Sequence, residues 1–450
     1  MGGGSVKVVF IRPSMTPGRA LDALEPLPLA VLAALTPPDV DRVMYDDRIE
    51  AIPFDAPADL VAMSVDTFSA RRAYQMSQAF HARGVRVIMG GPHPTLCPDE
   101  ASGFADAVVR GDAEDTWPQV LADAQQGTLR RLYTSSFPSI GHCQPDRSLY
   151  ADRRYGTLRL VQGGRGCPHH CDFCSVNAIY GERVRKRPMS EVMGEICSTP
   201  ARLWMFADDN LFSDTVTGAE FCRSIRPLGI SWACQTGLDI AGDPAFARLL
   251  AESGCRIVLC GFESLNSANL RQMGKGWTRT HGEYEEQTAV LRDHGIMVYG
   301  TFVFGYDEDT PDTIRAALEF SLRAKLFMAN FNPLMPFPGT ALYGRLRREG
   351  RLVHEHWWLS PDYRFGQGLF HPRNMSAEQL EQGCYQAKTE FNRATNMLRR
   401  AFDGKANRDN LALFWLGNVI SRREIHRKQG GRLGAEQPLI PFHSTEPSCT

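Results

Sequence analysis

Two series of short apolar runs dominate the chain, each interleaved with segments whose apolar residues recur at three- and four-residue intervals. In the N-terminal third, "VKVVFI" (6–11), "RVMYD" (42–46), "LVAMSV" (60–65), "VRVIMGG" (85–91) and "ADAVVRG" (105–111) are β-rich runs of strand length. Between them, "PLAVLAAL" and "ARRAYQMSQAFHARG" carry helical spacing. This alternation predicts a doubly wound parallel sheet whose ligand crevice opens at the carboxyl ends of its strands. The turn-rich "GGPHPT" (90–95) falls on that rim, where His93 reads equally as a rim residue or a ligand contact. No GxGxxG follows the first strand, which argues against a nicotinamide dinucleotide.

A linker containing "SSFPSIGHCQPDRSLY" (135–150) leads into the second series. Its predicted strands are "LRLVQGG" (158–164), "LWMFADD" (203–209), "ISWACQT" (230–236), "RIVLCGFE" (256–263), "MVYGTFVFG" (297–305) and "MANFNPLMP" (328–336). Six strands separated by helical patterns suit a partial or full (β/α) barrel with its chemistry in the loops after the strands. The resulting domain expectation is 1–135, 151–345 and a helical, charged cap over 346–450. The basic "SRREIHRKQGGR" near the end reads as a solvated face, and no internal repeat is evident.

Composition narrows the partners. With 43% hydrophobic and 22% charged residues the chain is globular, and 50 basic against 51 acidic residues give a net charge of −1. Nothing global therefore points to nucleic acid or an anionic membrane. The start "MGGGSVKVVF" lacks the features of a secretory signal, and "LPLAVLAAL" is too short to span a bilayer, so a cytoplasmic protein is expected. In a reducing compartment the twelve cysteines read as thiols and metal ligands rather than disulfides.

Three of those cysteines carry the strongest chemical signal. "GGRGCPHHCDFCS" (163–175) places Cys167, Cys171 and Cys174 in a CxxxCxxC loop directly after the first strand of the second series. Soft thiolates so closely spaced can wrap one metal centre. Three readings stand on spacing alone: metal-free thiols, a zinc site completed by His169 or His170, and a cubane cluster with one iron left open. The remaining cysteines, 97, 143, 197, 222, 234, 255, 260, 384 and 449, form no second tight triad in sequence, and Cys255 and Cys260 read as core thiols.

The CxxxCxΦC pattern, with Phe173 before the last cysteine, resembles the radical S-adenosylmethionine (SAM) superfamily. The resemblance implies a [4Fe-4S] cluster held by Cys167, Cys171 and Cys174, whose open iron chelates SAM. Later segments resemble the subfamily with an N-terminal cobalamin-binding-type, Rossmann-like domain. "FADDN" (206–210) stands where relatives build the SAM amino site, implying roles for Asp208, Asp209 and Asn210. "GFES" (261–264) implies that Glu263 and Ser264 contact SAM, and Gln235 after the preceding strand joins the cofactor-binding set. "TFVFGYDE" (301–308) resembles the adenine-contacting strand, assigning Val303 and Gly305 to cofactor binding, although Thr301 replaces an expected glycine.

Cobalamin is possible on this resemblance but not favoured, because the chain has no DxHxxG motif. Length, single cluster motif and architecture most resemble the radical SAM diol-dehydratases of aminoglycoside antibiotic biosynthesis. That implies C3′ dehydration of paromamine to a 4′-keto-3′-deoxy product, fed by a flavodoxin- or ferredoxin-type donor and followed by an NADPH-dependent reductase. A polycationic amino sugar calls for an acidic pocket, for which Asp209, Tyr306 and Asp307 are the catalytic candidates, with Glu308, Asp362 and Tyr363 nearby. The alternative is a cobalamin-dependent methyltransferase or ring-forming enzyme acting on a natural-product scaffold.

Overall fold

The computed structural model describes residues 6–442 except 142, 213, 214, 280, 281 and 403, so the glycine-rich start and Cys449 lie outside the described residues. The first sheet contains β1 (Lys7–Arg12), β2 (Asp41–Asp46), β3 (Leu60–Ser64), β4 (Arg86–Gly90), β5 (Ala107–Arg110) and β6 (Leu132–Thr134). They are parallel throughout, in the order β2-β1-β3-β4-β5-β6. The five predicted strands are present. The sixth escaped prediction because it is a three-residue edge strand with one buried side chain, Tyr133.

Both faces of this sheet are filled. Val9, Ile11, Val61, Met63, Val87 and Met89 pack on one side with Tyr74 and Phe80. Phe10, Ala62, Ile88 and Val109 pack on the other against the helices Leu27–Leu35 and Trp117–Gln126. All five residues of β3 are buried, as a parallel strand covered on both sides requires.

The second sheet contains β7 (Arg159–Val161), β10 (Leu203–Phe206), β11 (Ser231–Gln235), β12 (Cys255–Glu263), β13 (Met297–Phe304) and β14 (Met328–Pro333), and its cysteine loop adds β8 (Gly164–Arg165) and β9 (Arg185–Lys186). The order is β14-β13-β12-β11-β10-β7, again all parallel. Strands β7 and β14 are the two edges, so the barrel is partial. Its outward side chains are core: Phe262, Phe302 and Phe331 stack across three strands with centroids 5.3 and 5.5 Å apart. Its inward side chains, among them Met205, Leu259, Tyr299 and Asn330, are only half-buried. The resulting period of two is plain in β14, whose burial alternates at every residue.

The C-terminal region is helical at Ala377–Phe391, Ala394–Phe402 and Leu411–Lys428. The expectation that everything from 346 onward caps the barrel needs correction. Trp357, Trp358, Tyr363 and Leu433 are buried in the core of the first sheet, and Arg71 donates to the Leu359 carbonyl at 2.5 Å. His93 is buried there as well, bonded to Tyr74 (3.1 Å) and Glu100 (3.0 Å), while Trp358 donates to the same carboxylate at 3.0 Å. Neither rim residue nor ligand contact, His93 helps dock the C-terminal segment onto the first domain. Among the described residues no helix is long and apolar enough to cross a membrane.

Candidate active site at the seam of the two sheets

The cysteine loop leaves β7 and is braced by an antiparallel hairpin of β8 and β9. Gly166 makes the crossing possible. At φ +92° it lies so close to the Arg183 carbonyl that a Cβ would sit 1.9 Å from its oxygen. The loop is pinned from outside: Asp172 N–H donates to the Met273 carbonyl at 3.1 Å, and Leu342 N–H donates to the Asp172 carbonyl at 2.9 Å. The Tyr306 hydroxyl donates to the Asp172 carboxylate, and Phe173 packs against the barrel core.

Cys167, Cys171 and Cys174 are half-buried and unbridged. Burial raises all three thiols, Cys171 to about 12, so a stable thiolate here needs a cation on it. His169 stacks on Trp277 with centroids 3.6 Å apart, and His170 is exposed beside Asn177. Among the described residues no three His, Cys, Asp or Glu side chains converge on a single ion. Three thiols on one loop suit a cluster that takes one thiolate per iron.

Next to this loop, Asp208 accepts from Gly163 N–H at 2.8 Å, and Asp209 accepts from Gly166 N–H at 2.8 Å. The other oxygen of Asp208, Oδ1, is buried without a hydrogen bond, with Lys186 Nζ 3.9 Å away, and burial pushes the carboxyl up to about 6. An orphan acceptor at a strand end is suited to a ligand ammonium. Burial raises Asp209 too. Asn210 is buried, accepts from the Thr236 hydroxyl at 3.1 Å and lies beside the Cys167 thiol, which it favours in the ionised form. Gln235 is exposed and reaches the Asp209 carbonyl at 3.2 Å.

Glu263 has φ +59° and folds back over Gly261, where a Cβ would lie 2.1 Å from its Oε1. That oxygen accepts from Lys275 Nζ at 2.7 Å, so the carboxylate enters the site as half of a buried ion pair. Ser264 is buried in a turn, where its hydroxyl accepts from Asn266 N–H at 3.1 Å. Val303 is half-buried on the inner face of β13.

The remaining candidates lie elsewhere. Gly305, at φ +120°, makes room for Phe370 of the C-terminal segment, and its N–H donates to Asp309 at 2.9 Å. Asp307 is held by Gln272 (2.7 Å), Arg351 (3.1 Å) and Arg373 (3.2 Å). Burial raises its carboxyl, but the Gln272 and Arg351 bonds outweigh that and hold it below the usual range. Tyr306 is buried, and burial together with Asp172 raises its hydroxyl. Asp362 is exposed and Tyr363 is buried against Trp357, away from the barrel mouth. The acidic pocket expected for an amino sugar is therefore not assembled: Tyr306 and Asp307 serve the cluster loop and the cap.

A cavity of about 360 Å³ joins the two sheets. One end runs between the first sheet and its helices, lined by Val31, Leu32, Ile88, Val109 and Trp117. The rim carries Gly90, Gly91 and Gly111, and the far side is Gln162, Arg165 and Ala207 of the barrel. Arg165 crosses the seam to Glu114 (2.8 Å) and Asp112 (3.2 Å). An apolar slot with a glycine rim at a sheet's carboxyl edge suits a large planar cofactor with an apolar tail, and no histidine lines it. Sequence reasoning missed Asp112, Glu114, Arg165 and Lys275. The only local signal was the acidic "GDAED" after the fifth strand.

Comparison with known proteins agrees with this geometry. The B12 binding domain matches residues 30–121, and the Radical SAM superfamily matches residues 161–321. Bacteriochlorophyllide d C-12(1)-methyltransferase of Chlorobaculum tepidum is 29% identical over 88% of this chain and 88% of its own. Hopanoid C-2 methylase of Rhodopseudomonas palustris is 26% identical over 74% of this chain and 66% of its own. Among solved structures, the radical SAM methyltransferase TsrM of Kitasatospora setae superposes with a TM-score of 0.60 at 17% identity, over 77% of this chain and 75% of that one.

The chain is thus a radical SAM enzyme with an N-terminal B12-binding domain, the arrangement of the cobalamin-dependent radical SAM family. A [4Fe-4S] cluster and SAM follow from that class. The B12-domain match and the fitting slot also reverse the expectation that cobalamin is not favoured.

Proposed function

We propose that this protein is a cobalamin-using radical SAM methyltransferase acting on a carbon of a small molecule. The observation that carries the reading is the cavity shared by Gly90, Gly91 and Gly111 of the first sheet and Gln162, Arg165 and Ala207 of the barrel. It gives a group bound on the first domain direct access to the barrel mouth. When bound, the cluster supplies the electron that cleaves SAM, and the cobalamin supplies a methyl carrier.

The chain's own residues divide the remaining work. Cys167, Cys171 and Cys174 hold the cluster, and the brace on Asp172 fixes the loop that presents them. Asp208 Oδ1 accepts the SAM ammonium, with Asn210, Gln235, Glu263 and Val303 around the rest of the molecule. Asp209 orients the loop through Gly166, and Tyr306, Asp307, Ser264 and Gly305 act as positioning residues. A small-molecule substrate enters the barrel, and a reductant of flavodoxin or ferredoxin type supplies electrons.

Paromamine dehydration loses its support. The relatives above are methyltransferases, and the carboxylates meant for a polycation are committed to other partners. The test is anaerobic reconstitution with iron, sulfide and hydroxocobalamin, then reaction with methyl-labelled SAM and a reductant. Stoichiometric cobalamin uptake with formation of S-adenosylhomocysteine is expected. A preparation that cleaves SAM fully while binding no cobalamin would sink the proposal.

A further inference from the structure

The concave face of the partial barrel holds a second cavity, of about 560 Å³, below the site just described. Its walls are inward residues of the strands, chiefly Leu203, Met205, Ile257 and Leu259, and it is closed by the helix Leu411–Lys428. Continuing the same alternation, Ala207 lies two residues beyond Met205 and Asp209 four, just past the end of β10, and Gly261 lies two beyond Leu259 in β12. The cavity therefore opens toward the SAM-side residues.

One charge in it stands out. Lys388, on the helix Ala377–Phe391, lines the cavity and is only 8% exposed. Among the described residues its ammonium has no carboxylate partner and no hydrogen bond, and burial lowers its pKa. The other charges at the cavity compensate one another: Glu424 is bonded to Arg427 (2.7 Å) and Lys428 (3.4 Å), and Lys428 pairs with Asp22. A buried ammonium without a partner is costly, and a cavity is where a ligand can supply the missing anion. The remaining polar lining is neutral: Thr157, Ser421, Gln429, Asn332 and the bonded pair of Asn330 and Tyr299 (2.6 Å).

We propose that this cavity binds the substrate, and that the substrate is an apolar molecule with one anionic group that pairs with Lys388. Calling the ligand the substrate rests on the methyltransferase reading, whereas the binding itself does not. The pairing excludes a polycation, since an ammonium facing Lys388 would add like charge in a poorly screened site.

Two fluorescent probes that differ by one charge test the assignment without turnover: 8-anilinonaphthalene-1-sulfonate and its neutral counterpart N-phenyl-1-naphthylamine. On the reconstituted holoenzyme the anionic probe is expected to bind more tightly. Lys388→Met should weaken it by about tenfold, the equivalent of one charge-assisted bond, and change the neutral probe by less than about threefold. Met205→Trp, which fills the cavity, should remove both. Equal weakening of both probes by Lys388→Met, or no weakening of either, overturns the anion assignment. Retention of both probes by Met205→Trp overturns the cavity. Because neither readout uses methyl transfer, failure of the methyltransferase reading would show separately as absent S-adenosylhomocysteine with probe binding intact.

Discussion

The molecule contains two six-stranded parallel sheets built from the same strand-helix alternation, and they use their faces in opposite ways. In the first, both faces are packed, and the cofactor slot is confined to the carboxyl rim and a gap beside two helices. In the second, only the outer face is packed; the inner face is left half-covered around a cavity. A parallel strand buried on both sides needs continuous apolar sequence, as in "LVAMS", whereas one that lines a cavity tolerates Asn330 and Asn332 between Ala329, Phe331 and Pro333. One sheet is thus filled on both faces, and the other is left open on one.

The largest expected effect breaks the open sheet's function and spares its fold. Cys174→Ala should abolish SAM cleavage, read as 5′-deoxyadenosine and as iron content, with the far-ultraviolet circular dichroism unchanged. Wild-type iron content would refute the ligand assignment. The next contrast lies within one sheet. Phe302→Ala, on the filled outer face, should cost about 3–5 kcal/mol of unfolding free energy, and Leu259→Ala, on the open face, about 1 kcal/mol or less. Equal losses in denaturant unfolding would mean that the inner face is core after all.

The seam between the first sheet and the C-terminal segment comes third. Burial pushes the Glu100 carboxyl up, but His356 at 3.6 Å, together with His93 and Tyr74, which are hydrogen-bonded to it, outweighs that and holds the group at about 2. A depressed carboxyl contributes its stability above the unfolded value near 4.5, and that contribution disappears as pH falls toward 2. On that basis Glu100 is worth on the order of 3 kcal/mol near neutrality. Glu100→Gln should lower the midpoint of thermal unfolding at pH 7 and flatten its dependence on acid. An unchanged acid limb would show that the segment docks without this network. The smallest effect is at the brace. Tyr306→Phe removes one bond to Asp172, which keeps Arg345 at 3.6 Å, and should cost about 1 kcal/mol with SAM cleavage reduced only a few-fold. A loss as complete as that of Cys174→Ala would make Tyr306 a catalytic residue.

Much of this was legible in the chain. The barrel strands could be read because each alternates, or runs apolar, over several residues, and the cysteine loop because its three cysteines lie within eight residues of one another. Asp208 and Asp209 could be placed after a strand, and the structure bonds them to the backbone of the cysteine loop. Other features had no local signature. Trp357 and Trp358 fall in the region expected to cap the barrel, yet they pack with Tyr74 and His93, more than 250 residues away in sequence. Cys234 and Cys255 form no spacing motif, yet adjacent strands set their thiols in contact within the barrel core. Tyr306 and Asp307 looked catalytic because they follow a strand, and only their partners revealed a bracing role.

By itself, then, the sequence determined the two α/β units, the three-thiolate loop and its order ahead of the strand-end carboxylates, because periodicity and spacing are local properties. The tertiary structure alone decided that one sheet is filled and the other hollow, that an apolar slot bridges them, and that Lys388 faces a cavity with no counterion among the described residues. Those facts depend on which distant surfaces meet, and burial and pairing are properties of that meeting rather than of any single segment.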